Sequence, residues 1–271
     1  MSTPDLRPRA HDALERLVLF EFRLTCRTGL HIGAGKSADL SGSDLPVLRD
    51  AAGRPLVPGS SLRGILRSGV EAICLSLGLD EVRSLADSES SDSSGDFAKR
   101  WREMTLVERL FGRVAEKRGA FSYGSRLQIS DAVVKKDVAV ELRDGVGIDR
   151  ETRTAGTGVK FDLEVVPAGT SFEGRIRFKN PADHEIGLLA QALWMLDAGG
   201  LLLGGKSARG LGWVEVGVSA PRRLDAKTLL EGPLRPVPDQ AETIWGSVEE
   251  HFKAELARLR ELSDAASKLV A

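Results

Sequence analysis

The sequence has 271 residues, of which 42% are hydrophobic and 28% charged, and its formal net charge is −1. These values are typical of a globular protein with a sizeable core. The charge counts against a protein that coats nucleic acid generally, but not against one that grips a single strand along a local basic groove. Because no segment approaches the about 20 apolar residues that span a bilayer, and the start lacks an export pattern, we expect a cytoplasmic protein without membrane contact. Cys26 and Cys74 are then expected to be buried thiols.

Alternating and helical patterns predict the main elements in chain order. Residues 18–27 alternate between apolar and polar side chains, which indicates a half-buried strand. The run from Pro58 to Ser61 predicts the start of a helix capped by serine, and Asp183 is expected to cap a second helix that ends at Gly199-Gly200. Further strands are predicted at 127–134, 159–165, 172–178 and 213–218. This order predicts an α+β, ferredoxin-like fold, as in RNA-recognition domains.

Two regions lie outside this pattern. Residues 80–100 are rich in serine and acidic side chains and predict a flexible surface insertion, because they lack apolar anchors. Apolar residues between Ile244 and Leu262 share one stripe, which predicts an amphipathic helix docked on this protein or on a neighbour. We therefore predict one domain at 1–235 and a C-terminal helix at 236–271.

A glycine-rich loop at 204–212 is a candidate phosphate-binding element. Its glycines, Gly204 and Gly205 among them, permit tight turns and expose backbone N–H groups, and Lys206 and Arg209 add positive charge. The combination predicts a cradle for a nucleic-acid backbone. A flexible connector is the plainer alternative.

The start of the helix predicted at Pro58 carries a second basic segment. Ser60 and Ser61 lie in its first turn, whose free amides attract anions, and Arg63 and Arg67 share one helix face. These arginines are candidates to touch successive phosphates. Taken alone, two solvated surface charges would be the simpler interpretation.

The loop after the first strand supplies candidate catalytic groups. A carboxylate there is suited to placing a metal ion or polarising an attacking hydroxyl. From the residues alone, Asp39, Asp44 and Asp50 are equal candidates. His31 is a candidate general base, although a structural histidine at a strand end is the simpler interpretation.

Five segments in this order resemble the RAMP superfamily, and most closely the repeated backbone subunit (Csm/Cmr type) of type III CRISPR effector complexes. The resemblance runs from about residue 18 to 218. Its segments are 29–33, 44–47, 58–64, 147–152 and 204–212.

The resemblance implies a modified RNA-recognition fold that binds guide RNA and self-associates into a filament along it. Target RNA and other CRISPR effector subunits are the further partners implied. A thumb hairpin near 133–160 would splay the guide–target duplex, and it would contain Ile148, Asp149 and Arg150. The helix cations carry over to Arg63 and Arg67, and the glycine-rich grip to Gly204, Gly205, Lys206 and Arg209.

The resemblance also implies a catalytic residue. In catalytic members, the aspartate before the apolar-Pro-Val segment cuts target RNA with a divalent metal ion, expected to be Mg²⁺. The matching residue is Asp44, which the chain path should bring near phosphates held by Arg63 and Arg67. Since the loop before Asp44 is longer than the family pattern, Asp39 is its rival as catalytic residue and metal ligand.

Three alternatives to a metal-dependent endoribonuclease remain open. The chain could be a non-catalytic subunit that binds or caps guide RNA. It could instead be a metal-independent, guide-processing nuclease with His31 as the base. A small-molecule-binding ferredoxin-like domain is the third alternative, but it leaves the cationic glycine-rich loop unexplained.

Overall fold

The computed structural model describes residues 11, 13–35, 43–79, 100–101, 104–114, 121–230 and 243–270. The strands with assigned bounds are β1 (Arg16–Cys26), β2 (Leu56–Val57), β3 (Leu127–Ile129), β4 (Ala132–Val134), β5 (Glu141–Ile148), β6 (Ala155–Val165), β7 (Ser171–Lys179), β8 (Val214–Val218) and β9 (Arg222–Asp225). The helices are α1 (Gly59–Ser76), α2 (Leu106–Phe111), α3 (Asp183–Asp197), α4 (Ala226–Leu230) and α5 (Val248–Val270).

The main sheet is built around β1, whose alternation buries one face completely. Phe20, Phe22 and Leu24 lie on that face, in one core cluster with the buried sides of α1 and α3. The order across the sheet is β2-β4-β7-β1-β8, with β3 also pairing β7 and β9 also pairing β1. Every one of these pairings is antiparallel. The predicted α+β class is therefore confirmed as a mixed fold with antiparallel sheets.

The strand predicted at 159–165 is confirmed as part of β6, which forms with β5 a two-stranded sheet separate from the main one. β6 pairs along its length with β5, from Glu141 opposite Val165 to Ile148 opposite Ala155, and it also forms one parallel bridge with Leu45. Its apolar face packs on Leu211 in a small cluster apart from the main core. Alternation shows that one face of a strand is buried, but not which element buries it. The hairpin spans 141–165, compared with the predicted 133–160.

The helix caps also differ from the predictions. The N-cap of α1 is Pro58 rather than a serine, and the Gly59 N–H donates instead to Oδ1 of Asp131 at 2.8 Å. This arrangement follows from tertiary packing, because the start of α1 lies against the backbone of Ile129 and Ser130. Asp183 is the first residue of α3 rather than its cap.

The C-terminal helix docks on its own chain. The Phe252 side chain is fully buried, and its ring meets that of Phe20 edge to face, with centroids 5.0 Å apart. A Cβ at Gly187 would overlap the Glu255 carbonyl, so α3 and α5 cross closely. No helix among the described residues is long and apolar enough to cross a membrane. The insertion predicted at 80–100 falls almost wholly outside the described residues.

A buried ion pair and two buried thiols complete the interior. Arg126 pairs with Glu185, and their side chains are 1% and 4% exposed. The Arg126 guanidinium also donates to the Asn180 carbonyl at 2.7 Å and the Arg109 carbonyl at 3.0 Å. The two thiols, Cys26 and Cys74, are buried, as predicted, and neither forms a disulfide.

Candidate nucleic-acid interface

The loop that carries Asp44 is attached to the hairpin. The Leu45 N–H donates to the Asp162 carbonyl and the Glu164 N–H donates to the Leu45 carbonyl, both at 3.1 Å, in a short parallel pairing. Oδ2 of Asp44 accepts the Asp162 N–H at 2.9 Å. Since Asp44 is exposed, its carboxylate is held from one side and open to solvent on the other.

Of the two other candidate aspartates, Asp39 and Asp50, only Asp50 lies among the described residues. The Asp50 carboxylate closes a turn, because Oδ1 accepts the N–H groups of Ala52 at 2.9 Å and Arg54 at 2.8 Å. The Arg54 N–H is the main cause that lowers the pKa of Asp50. Asp50 is therefore a turn residue. Asp39 lies outside the described residues.

Two further carboxylates lie near Asp44 on the hairpin. Asp162 stands opposite Asp144 in the β5–β6 register. The hydrogen bond with the Asp144 side chain is the main cause that raises the pKa of Asp162, and the charge of Asp44 contributes in the same direction. Asp144 also pairs with Lys160 at 3.3 Å. Even so, over the part of the chain that the structure describes, no three His, Cys, Asp or Glu side chains are grouped to hold a metal ion.

The glycine-rich loop docks on the segment that follows β1. The Gly205 N–H donates to the His31 carbonyl at 2.8 Å, and the Gly212 N–H donates to the Gly29 carbonyl at 2.9 Å. Lys206 precedes a short 3-10 turn and Arg209 is its last residue. Both lie over the Phe161 ring, with Nζ of Lys206 and Cζ of Arg209 at 5.8 and 5.4 Å from its centroid. Neither cation forms an ion pair with a described carboxylate, so both are available to an anion.

Phe161 is a site residue that the sequence analysis missed. Its ring lies so close over Gly145 that any Cβ at Gly145 would overlap it. A cleft of about 360 Å³ opens beside the ring, with Arg143 on the hairpin side and Arg209 on the loop side. A glycine directly opposite an aromatic residue in a hairpin is the signal that would have indicated this close packing.

The glycines of this loop differ in whether there is space for a side chain. Gly212 has φ +91°, and a Cβ there would overlap the Leu203 carbonyl, whereas Gly210 has φ +84° and open space around it. We expect Gly212→Ala to lower the free energy of unfolding by about 2–3 kcal/mol, from strain plus overlap, and Gly210→Ala by about 1 kcal/mol, from strain alone. Urea denaturation of both variants measures the difference. Equal losses would contradict the close approach at Gly212.

The basic segment of α1 lies among intramolecular partners. Ser60 and Ser61 are exposed in its first turn. Arg63 donates to the Phe111 carbonyl, and burial lowers the pKa of Arg63. Arg67 pairs with Glu71 at 2.8 Å. Among the described contacts none joins these residues to Asp44, whose partners are on the hairpin.

The tip of the hairpin is closed by Asp149. Its carboxylate accepts the N–H groups of Thr152 at 2.8 Å and Glu151 at 2.9 Å, and the Thr152 N–H is the main cause that lowers the Asp149 pKa. Arg150 is exposed next to it. Ile148 is 66% exposed, which leaves an apolar side chain open to a partner.

His31 is placed as a structural residue. Its side chain is buried, and Nδ1–H donates to the Glu164 carbonyl on β6 at 2.9 Å. Its own carbonyl accepts the Gly205 N–H. His31 therefore ties the hairpin and the glycine-rich loop to the same segment.

A model of the RAMP superfamily matches residues 23–215, which is more than half of the chain. The chain belongs to the RAMP superfamily. The match runs from the end of β1 to the start of β8 and includes the hairpin and the glycine-rich loop. It confirms the resemblance inferred from the five segments.

Individual RAMP relatives and a solved structure are also similar to this chain. A protein of Enterococcus italicus named CRISPR system Cms endoribonuclease Csm3 is 32% identical over 171 residues, which cover 59% of this chain and 69% of that protein. A protein of the same name from Methanothermobacter thermautotrophicus is 52% identical, but over only 50 residues, or 20% of its length. A chain of a Type IV-B CRISPR complex has TM-score 0.51 and 21% identity, covering 74% of this chain and 90% of that one. This last likeness shows the fold alone.

Proposed function

We propose that this RAMP protein is the guide-RNA-binding backbone subunit of a type III CRISPR effector complex and cleaves target RNA with a divalent metal ion at Asp44. The observation that carries the proposal is the placement of an exposed carboxylate and two cations, neither of them paired with a described carboxylate, around neighbouring residues of one strand. Asp44 is bound at Asp162, and Lys206 and Arg209 lie over Phe161. The names of the relatives, which specify an endoribonuclease of a CRISPR system, support the same activity.

The protein grips RNA through its sugar-phosphate backbone in this proposal. Lys206 and Arg209 neutralise phosphates, and the exposed edge of the glycine-rich loop at Gly204 and Gly205 allows close approach. Such a grip tolerates any guide sequence, and the target is then read by base pairing. Arg63 and Arg67 contribute less, because both have intramolecular partners. The sheet order β4-β7-β1-β8, with α1 and α3 against one face, supports the finer ferredoxin-like assignment.

The residues at Asp44 fit an Mg²⁺ ion that is shared with RNA. Mg²⁺ in phosphate-processing sites commonly takes one or two carboxylates, with water and substrate phosphate oxygens as the other ligands. A single exposed carboxylate, held by the Asp162 N–H, matches that donor set. When bound, the ion would stabilise negative charge on the scissile phosphate. The role of Asp44 is to keep a fixed anionic oxygen at the surface where RNA arrives.

The proposed assembly is a filament of this subunit along the guide, together with other CRISPR effector subunits. The hairpin supports this role as a thumb that splays the duplex, because Leu142, Val146 and Ile148 on β5 are between 51% and 66% exposed. Apolar side chains on an exposed strand are typical of surfaces that a partner covers. Ile148, Asp149 and Arg150 form the end of the thumb that would meet the duplex.

Purification from cells that express a CRISPR array tests the proposal directly. Sequencing of the co-purified RNA should recover guides, and the assembled complex should cut a complementary target with Mg²⁺ present. Recovery of guide RNA from a complex that does not cut the target would favour the non-catalytic subunit instead. RNA-free protein that fails to assemble would exclude the backbone role.

Lys206 and Arg209 are expected to dominate the salt dependence of RNA binding. Lys206→Ala with Arg209→Ala should weaken binding to single-stranded RNA about 10-fold and reduce the slope of log K against log salt by about 1.4, since two phosphate contacts are lost. The matched control is Arg175→Ala with Arg177→Ala, which removes two exposed cations from β7 in the main sheet. Fluorescence anisotropy over a salt series measures both. A loss confined to one RNA sequence, or an equal loss in the control, would contradict the backbone grip.

A further inference from the structure

We infer that Glu164 positions Asp44, an inference that rests on the proposed function. Glu164 holds the Asp44 loop with both its main chain and its side chain. Its N–H donates to the Leu45 carbonyl at 3.1 Å, and its Oε2 accepts the Val47 N–H at 2.9 Å and Nη2 of Arg49 at 3.1 Å. Glu164 therefore forms hydrogen bonds with three alternate residues of the loop, Leu45, Val47 and Arg49.

These contacts lie directly beside Asp44. The described partner of the Asp44 carboxylate is the N–H of Asp162, two residues before Glu164 on the same strand. The segment after β1 adds bonds further along the loop, from the Ala34 N–H to the Pro46 carbonyl at 3.0 Å and from the Leu48 N–H to the Ile32 carbonyl at 2.8 Å. Asp44 itself is thus placed by β6, and Glu164 keeps its loop aligned with that strand.

The Glu164 side chain is suited to this task because it is partly shielded. It is 19% exposed, and its partner Arg49 is 33% exposed. The Val47 N–H that it accepts belongs to a buried residue, 3% exposed, so an uncompensated N–H there would be unfavourable. Hydrogen bonds to a charged acceptor are shorter and stronger than neutral ones. Losing this acceptor should let the loop shift, and a displacement of about 1 Å at a reacting group can cost about 100-fold in rate.

The test compares Glu164→Gln and Glu164→Ala in the complete complex assembled on guide RNA. Single-turnover cleavage is measured at saturating target while Mg²⁺ is titrated. We expect Ala to slow cleavage about 100-fold and Gln about 10-fold, because the amide oxygen of Gln still accepts the Val47 N–H. The Mg²⁺ concentration for half-maximal rate should rise in both variants, and target affinity should stay unchanged.

Glu173→Gln is the matched control. Glu173 lies on β7 of the main sheet, is 18% exposed and pairs with Arg23 at 2.7 Å, so it resembles Glu164 in burial and in partner. Its variant should cleave at the wild-type rate. Equal losses in Glu164→Gln and Glu173→Gln would overturn the positioning role in favour of a general loss of stability.

Asp44→Asn, assayed in parallel, separates this inference from the proposed function. Wild-type rates in both Glu164 variants, with Asp44→Asn inactive, would overturn the inference and leave the proposed function intact. Cleavage that survives Asp44→Asn would overturn the proposed function, and the positioning role of Glu164 with it.

Discussion

Asp44→Asn is expected to abolish metal-dependent cleavage of target RNA, with a rate loss of at least about 100-fold, while guide binding and assembly persist. The amide has the shape of the carboxylate, and its oxygen can still accept the Asp162 N–H that holds Asp44 at 2.9 Å. What is lost is the negative charge that would attract the cation. Single-turnover cleavage of a labelled target, with native gel shifts for guide and target binding, measures the two effects separately.

Two neighbouring aspartates are the controls. Asp50→Asn should retain cleavage, because the Asp50 carboxylate closes a turn with Ala52 and Arg54. Asp39→Asn tests the rival on the same loop. Loss of cleavage in Asp39→Asn but not in Asp44→Asn would move the catalytic role to Asp39. A wild-type complex that leaves paired target intact with Mg²⁺ present would identify a non-catalytic subunit.

Arg126→Met is expected to lower the free energy of unfolding by about 3–5 kcal/mol. Arg126 and Glu185 are 1% and 4% exposed, so removing the guanidinium leaves a buried carboxylate without its cation. The carbonyls of Arg109 and Asn180 also lose their donor. Urea denaturation followed by circular dichroism measures the loss.

Arg258→Met is the matched control for Arg126→Met. Arg258 pairs with Glu261 on the surface of α5, where the side chains are 66% and 63% exposed. A pair that is this exposed contributes about 0–1 kcal/mol. Similar losses for the two arginines would show that burial of the Arg126 pair does not set its importance.

The elements with strong local patterns could be predicted from the sequence. The alternation of residues 18–27 and the apolar stripe of the C-terminal segment each report burial of one face, and the structure has a strand at Arg16–Cys26 and a docked helix at Val248–Val270. The same signal correctly predicted a strand at 159–165, but it could not show that β6 buries its face against Leu211 rather than the main core. The serine cap failed for a similar reason, since Asp131 reaches the start of α1 from 72 residues away.

The candidate site was harder to predict than the fold, because it is formed by contacts between residues far apart in the sequence. Asp44 was selected by family resemblance, and its bond to Asp162 joins residues 118 positions apart, which no local pattern records. Glu164 and Phe161 were missed because each occupies an ordinary position in an alternating strand. Their roles come from partners brought by other segments, namely Val47 and Arg49 for Glu164 and the cations of the glycine-rich loop for Phe161.

Because both native thiols are buried, a cysteine introduced on the exposed hairpin could be labelled selectively. Burial raises the pKa of Cys26 to about 12, so this thiol stays protonated and unreactive at neutral pH. Cys74 is likewise enclosed, with no exposed side-chain surface. A single substitution such as Glu151→Cys, at the exposed hairpin tip, would therefore place the reactive thiol where a fluorophore can report the arrival of RNA, without removal of either native cysteine.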